Sequence, residues 1–231
     1  MNKKGIMLAV FSILVFIGFV FGYSMILSNQ EKLKRDFEIG SNQFNLIDTY
    51  YDSEYDLLNL DQGVRYSSFK AIKEFSDSGG IIKDCNNRWI FNDKCEPDFE
   101  KYFLEMFKEK MKEYGRDVKS VDIDENYLIG DVGGFFYEKK LDRMNFTYTI
   151  NGNFNQSLIL NFEELNELKD KIKRCIQDND DLEKCANGQK NGDIYSFSLD
   201  IGKVFYSDRF EDIVLKFEID IKDSGVITGV I

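Results

Sequence analysis

The sequence predicts an α+β fold. An N-terminal transmembrane helix continues into a long amphipathic helix, followed by an antiparallel sheet with two further helices and two C-x9-C loops. Three observations predict it. No formal charge occurs from Ile6 to Gln30, apolar residues then recur at seven-residue spacing, and period-two runs cluster between helical stretches without regular alternation. The boundaries expected are 1–30 for a leader and transmembrane helix, 31–79 for an amphipathic helical stalk, and 80–231 for an extracytoplasmic α+β domain.

The apolar part of the first segment, Ile6 to Leu27, rises about 33 Å as a helix, against a hydrocarbon core of roughly 30 Å. A cleaved secretory signal would have a shorter apolar region ending in a small-x-small site. Phe21-Gly22-Tyr23-Ser24 is a poor one. A retained anchor is therefore expected. From Glu31 onward Phe37, Phe44, Tyr51 and Leu58 recur every seven residues, with Leu33 and Ile47 between them. A second stripe follows: Leu57, Leu60, Val64, Ala71 and Phe75. This reads as one long helix with a candidate kink at Gly40-Ser41 and a stop at Ser78-Gly79-Gly80. It packs either along its own domain or against other copies.

Pro97 marks an expected first helical position, and Phe99, Tyr102, Phe103, Met106, Phe107, Met111 and Tyr114 form one apolar face before Gly115. Strand-like runs cover 118–123, 127–129, 134–137, 146–150 and 154–162. A helix over Glu163–Ile176 buries Leu165, Leu168 and Ile172 and ends at Cys175. Further strands are expected at 195–201 and 213–221, the latter alternating apolar and polar residues. At Asn151-Gly152 the side-chain pattern favours a three-residue hairpin loop, Asn151–Asn153, pairing Ile150 with Phe154 and Phe146 with Leu158. Asn145, Thr147, Thr149, Asn155 and Ser157 then share the outward face.

Composition excludes several chemistries. The chain has 231 residues, 43% hydrophobic, with one Pro, so it is a folding sequence. It has no histidine, which removes Ser-His-Asp and Cys-His catalysis and His-ligated metals. A net charge of −11 argues against nucleic acid as a partner. Neither a glycine-rich phosphate loop nor a nucleophile elbow is present, so no enzyme activity and no cofactor are expected. Asp122-Ile-Asp124-Glu125-Asn126 and Asp178-Asn-Asp180-Asp181 are candidate Ca²⁺ ligands, but neither matches the calcium-loop pattern, and solvated charge is the simpler reading.

Cys85, Cys95, Cys175 and Cys185 form two identical C-x9-C spacings. Four cysteines allow three pairings. Local pairing is the simplest because each loop is short; a four-thiolate zinc site and free thiols are the alternatives. The cysteines lie with two glycosylation sequons, at Asn145 and Asn155, after the apolar segment. Beyond Lys3 and Lys4 there are 28 basic against 41 acidic residues. Together these place the C-terminal domain outside a cell membrane crossed once.

Lys3-Lys4-Gly5, followed by Ile6 and an apolar helix, resembles the class III signal of archaeal type IV pilins. That resemblance implies cleavage by a membrane peptidase between Gly5 and Ile6, and packing of the new N-terminal helix into a filament core. Met7 to Phe11 lacks the early acidic residue of bacterial pilins, and the Ser/Ala/Pro-rich archaeal opening is absent. The rest is similar to single-span envelope proteins of small-genome archaea, in which such an anchor precedes a Tyr-rich helix like Tyr66–Ile72, then Gly-Gly and cysteine-bearing loops. The expectation is a membrane-anchored structural or assembly protein of the cell envelope. Its partners would be the lipid bilayer and copies of itself or other envelope proteins. An extracytoplasmic ligand-binding module for a sugar, peptide or ion is the alternative, and a carboxylate-dependent hydrolase the third.

Overall fold

The computed structural model describes residues 3–81, 83–91, 95–141, 144–178, 181–206 and 209–220. Their side chains are described except at 3–12, 30–39, 41–42, 83, 140–141, 144, 205–206, 209 and 220. Two compact units partition the chain: residues 1–54 with 136–148, and residues 55–135 with 149–231.

Helix α1 runs without a break from Lys3 to Asp77, through the candidate kink at Gly40. Its end is a Schellman motif. Gly80 N–H donates to the Phe75 carbonyl at 2.9 Å and Gly79 N–H to that of Ser76 at 3.2 Å. Both glycines have positive φ, +70° and +73°, which the motif requires of Gly79.

One expectation about α1 is corrected. Among the described residues, no helix is long and apolar enough to cross a membrane. Described apolar side chains run from Ile13 to Leu27 and then give way to Ser28 and Asn29. Fifteen residues rise only about 22 Å, short of a hydrocarbon core of roughly 30 Å. The remainder of the expected transmembrane helix, Ile6–Ser12, and the candidate processing pair Gly5 and Ile6 have side chains outside the described residues.

In the larger unit the mixed packing of helices and sheet is as the pattern predicts. Strand β1 (Arg88–Trp89) follows a 3₁₀ turn at 83–85, and helix α2 (Phe99–Glu113) starts two residues later than expected. Asp98, not Pro97, precedes its first turn. Helix α3 (Phe162–Gln177) is capped by the Asn161 carboxamide, which accepts from Glu164 N–H, and α4 (Leu182–Ala186) by Asp181.

The single antiparallel sheet expected is instead two sheets. One orders β2 (Ser120–Asp124), β3 (Tyr127–Leu141) and β4 (Met144–Ser157). The other is mixed, in the order β1, β7 (Arg209–Asp220), β6 (Ile194–Tyr206), β5 (Gln189–Asn191), with β1 parallel to β7. The parallel pair arises because the chain between α1 and α2 dips to the sheet edge to bury Trp89. Its indole stacks on Phe217 at 3.6 Å and donates to the Gly79 carbonyl at 2.8 Å.

The hairpin at Asn151–Asn153 is also corrected. Those residues lie inside continuous strand β4, and the connection from β3 falls at 142–143, outside the described residues. Glycine serves here for close approach, not for a turn. A Cβ on Gly152 would lie 2.6 Å from Val132 Cγ2, 3.1 Å from the Phe135 ring, and against the Gly133 carbonyl. The proposed pairings, Ile150 with Phe154 among them, therefore do not form. Alternation survives: odd positions from Asn145 to Ser157 are exposed, while Gly152 and Phe154 are buried.

The core joins the second stripe of α1 to both helices and the mixed sheet. Phe75 packs edge-on against Phe99, Phe103 and Phe162, with ring centres 6.0, 6.4 and 6.3 Å away. Lys110 of α2 reaches back to α1, with Nζ 2.9 Å from Glu74 and 2.8 Å from Glu113.

Candidate functional site

The inward side chains of the mixed sheet, Tyr195, Phe197, Leu215, Phe217 and Ile219, are core. Period-two alternation turns their neighbours to the opposite face. There the register builds a polar row across all four strands: Arg88 lies beside Glu218, Glu218 beside Ser196, and Ser196 beside Gln189. A second row carries Lys216 beside Ser198. Asn86, Asn87 and Asn187 complete the lining of a cavity of about 480 Å³.

Two disulfides lie close in sequence to residues that line this cavity. Cys85 pairs with Cys95 and Cys175 with Cys185, at Cα separations of 5.7 and 6.2 Å. Both are the local bridges, and no described cysteine is free. Asn86 follows the first bridge directly, and Asn187 stands two residues after the second. In the chain-entropy picture each short loop contributes about 3 kcal/mol. Cys85 and Cys185 thus stand a few residues before the two edge strands of the sheet, β1 and β5.

Asn86, Asn87 and Asn187 adopt φ of 50°, 60° and 58°, three of the four left-handed non-glycine residues described. Asn87 is held by its carboxamide donating to the Asp77 carbonyl at 2.9 Å, while its own carbonyl accepts from Glu218 N–H at 2.8 Å. Gly188 seats β5, since a Cβ there would lie 2.8 Å from the Phe197 ring. Lys190, on the reverse face of β5, lies 5.6 Å from the Tyr195 ring centre, and its amine, donating to that phenol oxygen, is held above its ordinary value.

Within the cavity the charges nearly balance. Glu218 faces Arg88, with Nε to Oε2 at 3.5 Å. Lys216, Ser198 and Gln189 are exposed and have no side-chain partner among the described residues.

The candidate calcium residues do not converge. Asp122 and Asp124 stand exposed on β2, Glu125 sits at its turn, and Asp181 caps α4, accepting from Glu183 N–H and the Tyr195 hydroxyl. Asn179 and Asp180 lie outside the described residues. Among the described residues no group of three His, Cys, Asp or Glu side chains could hold a metal. The sequon residues Asn145 and Asn155 are both exposed. Sequence reasoning missed the cavity residues. Their signal was an asparagine soon after the cysteine at the cavity rim in each pair, and polar residues alternating with core in Ser196-Phe197-Ser198 and Lys216-Phe217-Glu218.

A different surface lies on α1. From Ile13 to Leu27 the large apolar side chains point outward on every side of the helix, all exposed. The seven-residue stripe continues this: Phe44, Tyr51 and Leu58 are 70%, 66% and 56% exposed. Gly18 and Gly22, with Val15, Phe19, Tyr23 and Ile26, form an apolar groove of about 430 Å³. Comparison with protein-family models, with characterised proteins and with solved structures finds no match to this chain.

Proposed function

We propose that the chain is an extracytoplasmic structural or assembly protein of the cell envelope, pilin-like in that its N-terminal helix packs against the helices of other copies. The observation that carries this reading is the exposed Ile13–Leu27 stretch, apolar on all sides. A helix of that kind is stable in water only when covered all round. One domain covers one side of a helix, whereas several parallel copies cover every side.

Two further features support it. Gly18 and Gly22 stand one helical turn apart, and nothing lies within 4 Å of a Cβ built on either, so another helix can approach backbone to backbone. Phe44, Tyr51 and Leu58 extend the contact at heptad spacing. The extracytoplasmic setting is supported by the two disulfides, which persist in oxidising compartments. Sedimentation velocity of the full chain tests the reading. Concentration-dependent association is expected, lost in a Phe19→Glu, Phe44→Glu double variant that keeps its folded circular dichroism. A monomer at every concentration contradicts it.

A further inference from the structure

We infer that the polar face of the mixed sheet is a binding site for a neutral saccharide. It is independent of the helix surface on which assembly is proposed.

The polar groups lining the cavity define the kind of ligand it can hold. A sugar hydroxyl is donor and acceptor at once, so its site needs both functions side by side. Carboxamides supply both from one planar group, and the cavity has four: Asn86, Asn87, Asn187 and Gln189. Ser196 and Ser198 add two hydroxyls, each donor and acceptor. Such density of neutral two-way groups on one sheet face suits a ligand presenting adjacent hydroxyls.

Charge narrows the class. An anionic ligand calls for an excess of cations, and a cation for converging carboxylates. The cavity contains one of each, Lys216 and Glu218, with Glu218 already facing Arg88. An apolar ligand is disfavoured because the neighbouring rings, Phe197 and Phe217, belong to the core and are 7% and 1% exposed. What remains is neutral and polar.

The site is also preorganised. Asn86 and Asn187 stand one and two residues after bridged cysteines, each in a set left-handed backbone conformation, which lowers the entropic cost of ordering them on binding. This gives the repeated C-x9-C spacing a role that neither loop has alone. Gln189, Ser198 and Lys216 are exposed and, among the described residues, without side-chain partners, so a ligand reaches them without breaking a protein contact.

The test uses the immobilised full chain and surface plasmon resonance. Probes are neutral tetrasaccharides of glucose, mannose, galactose and N-acetylglucosamine, with oligogalacturonate and oligoglucosamine as charged controls. Saturable binding of at least one neutral probe is expected, with Kd between about 0.1 and 1 mM. Gln189→Ala with Ser198→Ala should weaken it at least tenfold, and Lys216→Gln should weaken it less. These positions are exposed, so the variants should fold; unchanged circular dichroism checks that. Asp122→Ala, on the other sheet, should bind as the parent does. The inference is overturned by no saturable response to any neutral probe up to about 10 mM, by preference for a charged control, or by binding that the Gln189 and Ser198 changes leave intact.

Discussion

Helix α1 carries two apolar stretches that meet opposite fates. Leu60, Val64, Ala71, Ile72 and Phe75 are at most 2% exposed, whereas the large side chains from Ile13 to Leu27 are 45–77% exposed. Apolar content does not separate them; pattern does. Between the buried residues stand Asp61, Gln62 and Arg65, all exposed, so the later stretch has one face to hide and one to leave in water. The earlier stretch has no such division. A single domain can satisfy the first arrangement, and only an environment that surrounds the helix can satisfy the second.

The comparison breaks most readily by truncating one aromatic in each stretch. Phe75→Ala removes a ring that touches three others and should cost about 3–5 kcal/mol, a large share of the roughly 5–15 kcal/mol of a typical domain. Phe19→Ala should leave the urea midpoint unchanged and weaken association alone. Equal losses of folding stability at both sites would show that the earlier stretch is covered by its own chain.

Glycines sharpen the same contrast. Gly152→Ala places a methyl group against Val132, Phe135 and the Gly133 carbonyl, and should cost about 1–3 kcal/mol in denaturant unfolding. Gly18→Ala meets nothing within 4 Å, so the folded chain should gain up to about 1 kcal/mol from helix propensity while self-association weakens. An unchanged association constant for Gly18→Ala would remove the glycine groove from the contact.

The smallest expected effect is electrostatic. The Lys110 amine is held well above its ordinary value of 10.5, first by its hydrogen bond to Glu113 and then by that to Glu74. A raised folded-state value means the contribution is fully present below about pH 10.5 and fades as pH rises through the higher value. Lys110→Met should therefore lower stability by less than about 1 kcal/mol near neutrality, with the gap closing in strong alkali. A gap that widens with pH would reverse the assignment.

How far the sequence discloses the molecule follows the same line. Periodic elements were legible: the heptad stripe, the aromatic face of α2, the Glu163–Ile176 helix and the alternation of β7 all rest on local spacing. The local disulfides were legible because short loops close cheaply. Elements set by distant partners were not. The parallel pairing of β1 depends on Trp89 finding Phe217, more than a hundred residues away, and Gly152 sits inside a strand because Val132 and Phe135 press on it. The cavity was hidden for the same reason. Asn86, Asn187, Ser198 and Lys216 come together only through the register of four strands. The transmembrane expectation fails on length: among the described residues the apolar side chains from Ile13 to Leu27 are too short a run to cross a hydrocarbon core.

Site-specific photo-crosslinking tests the central claim most directly. The full chain carrying benzoylphenylalanine at Phe19 is irradiated in cells that produce it, and the adducts are identified by mass spectrometry. Assembly through α1 predicts an adduct of twice the 27.0 kDa chain mass, joined at residues between 13 and 27 of a second copy. Adducts confined to lipid, or to the chain's own domain, would contradict it.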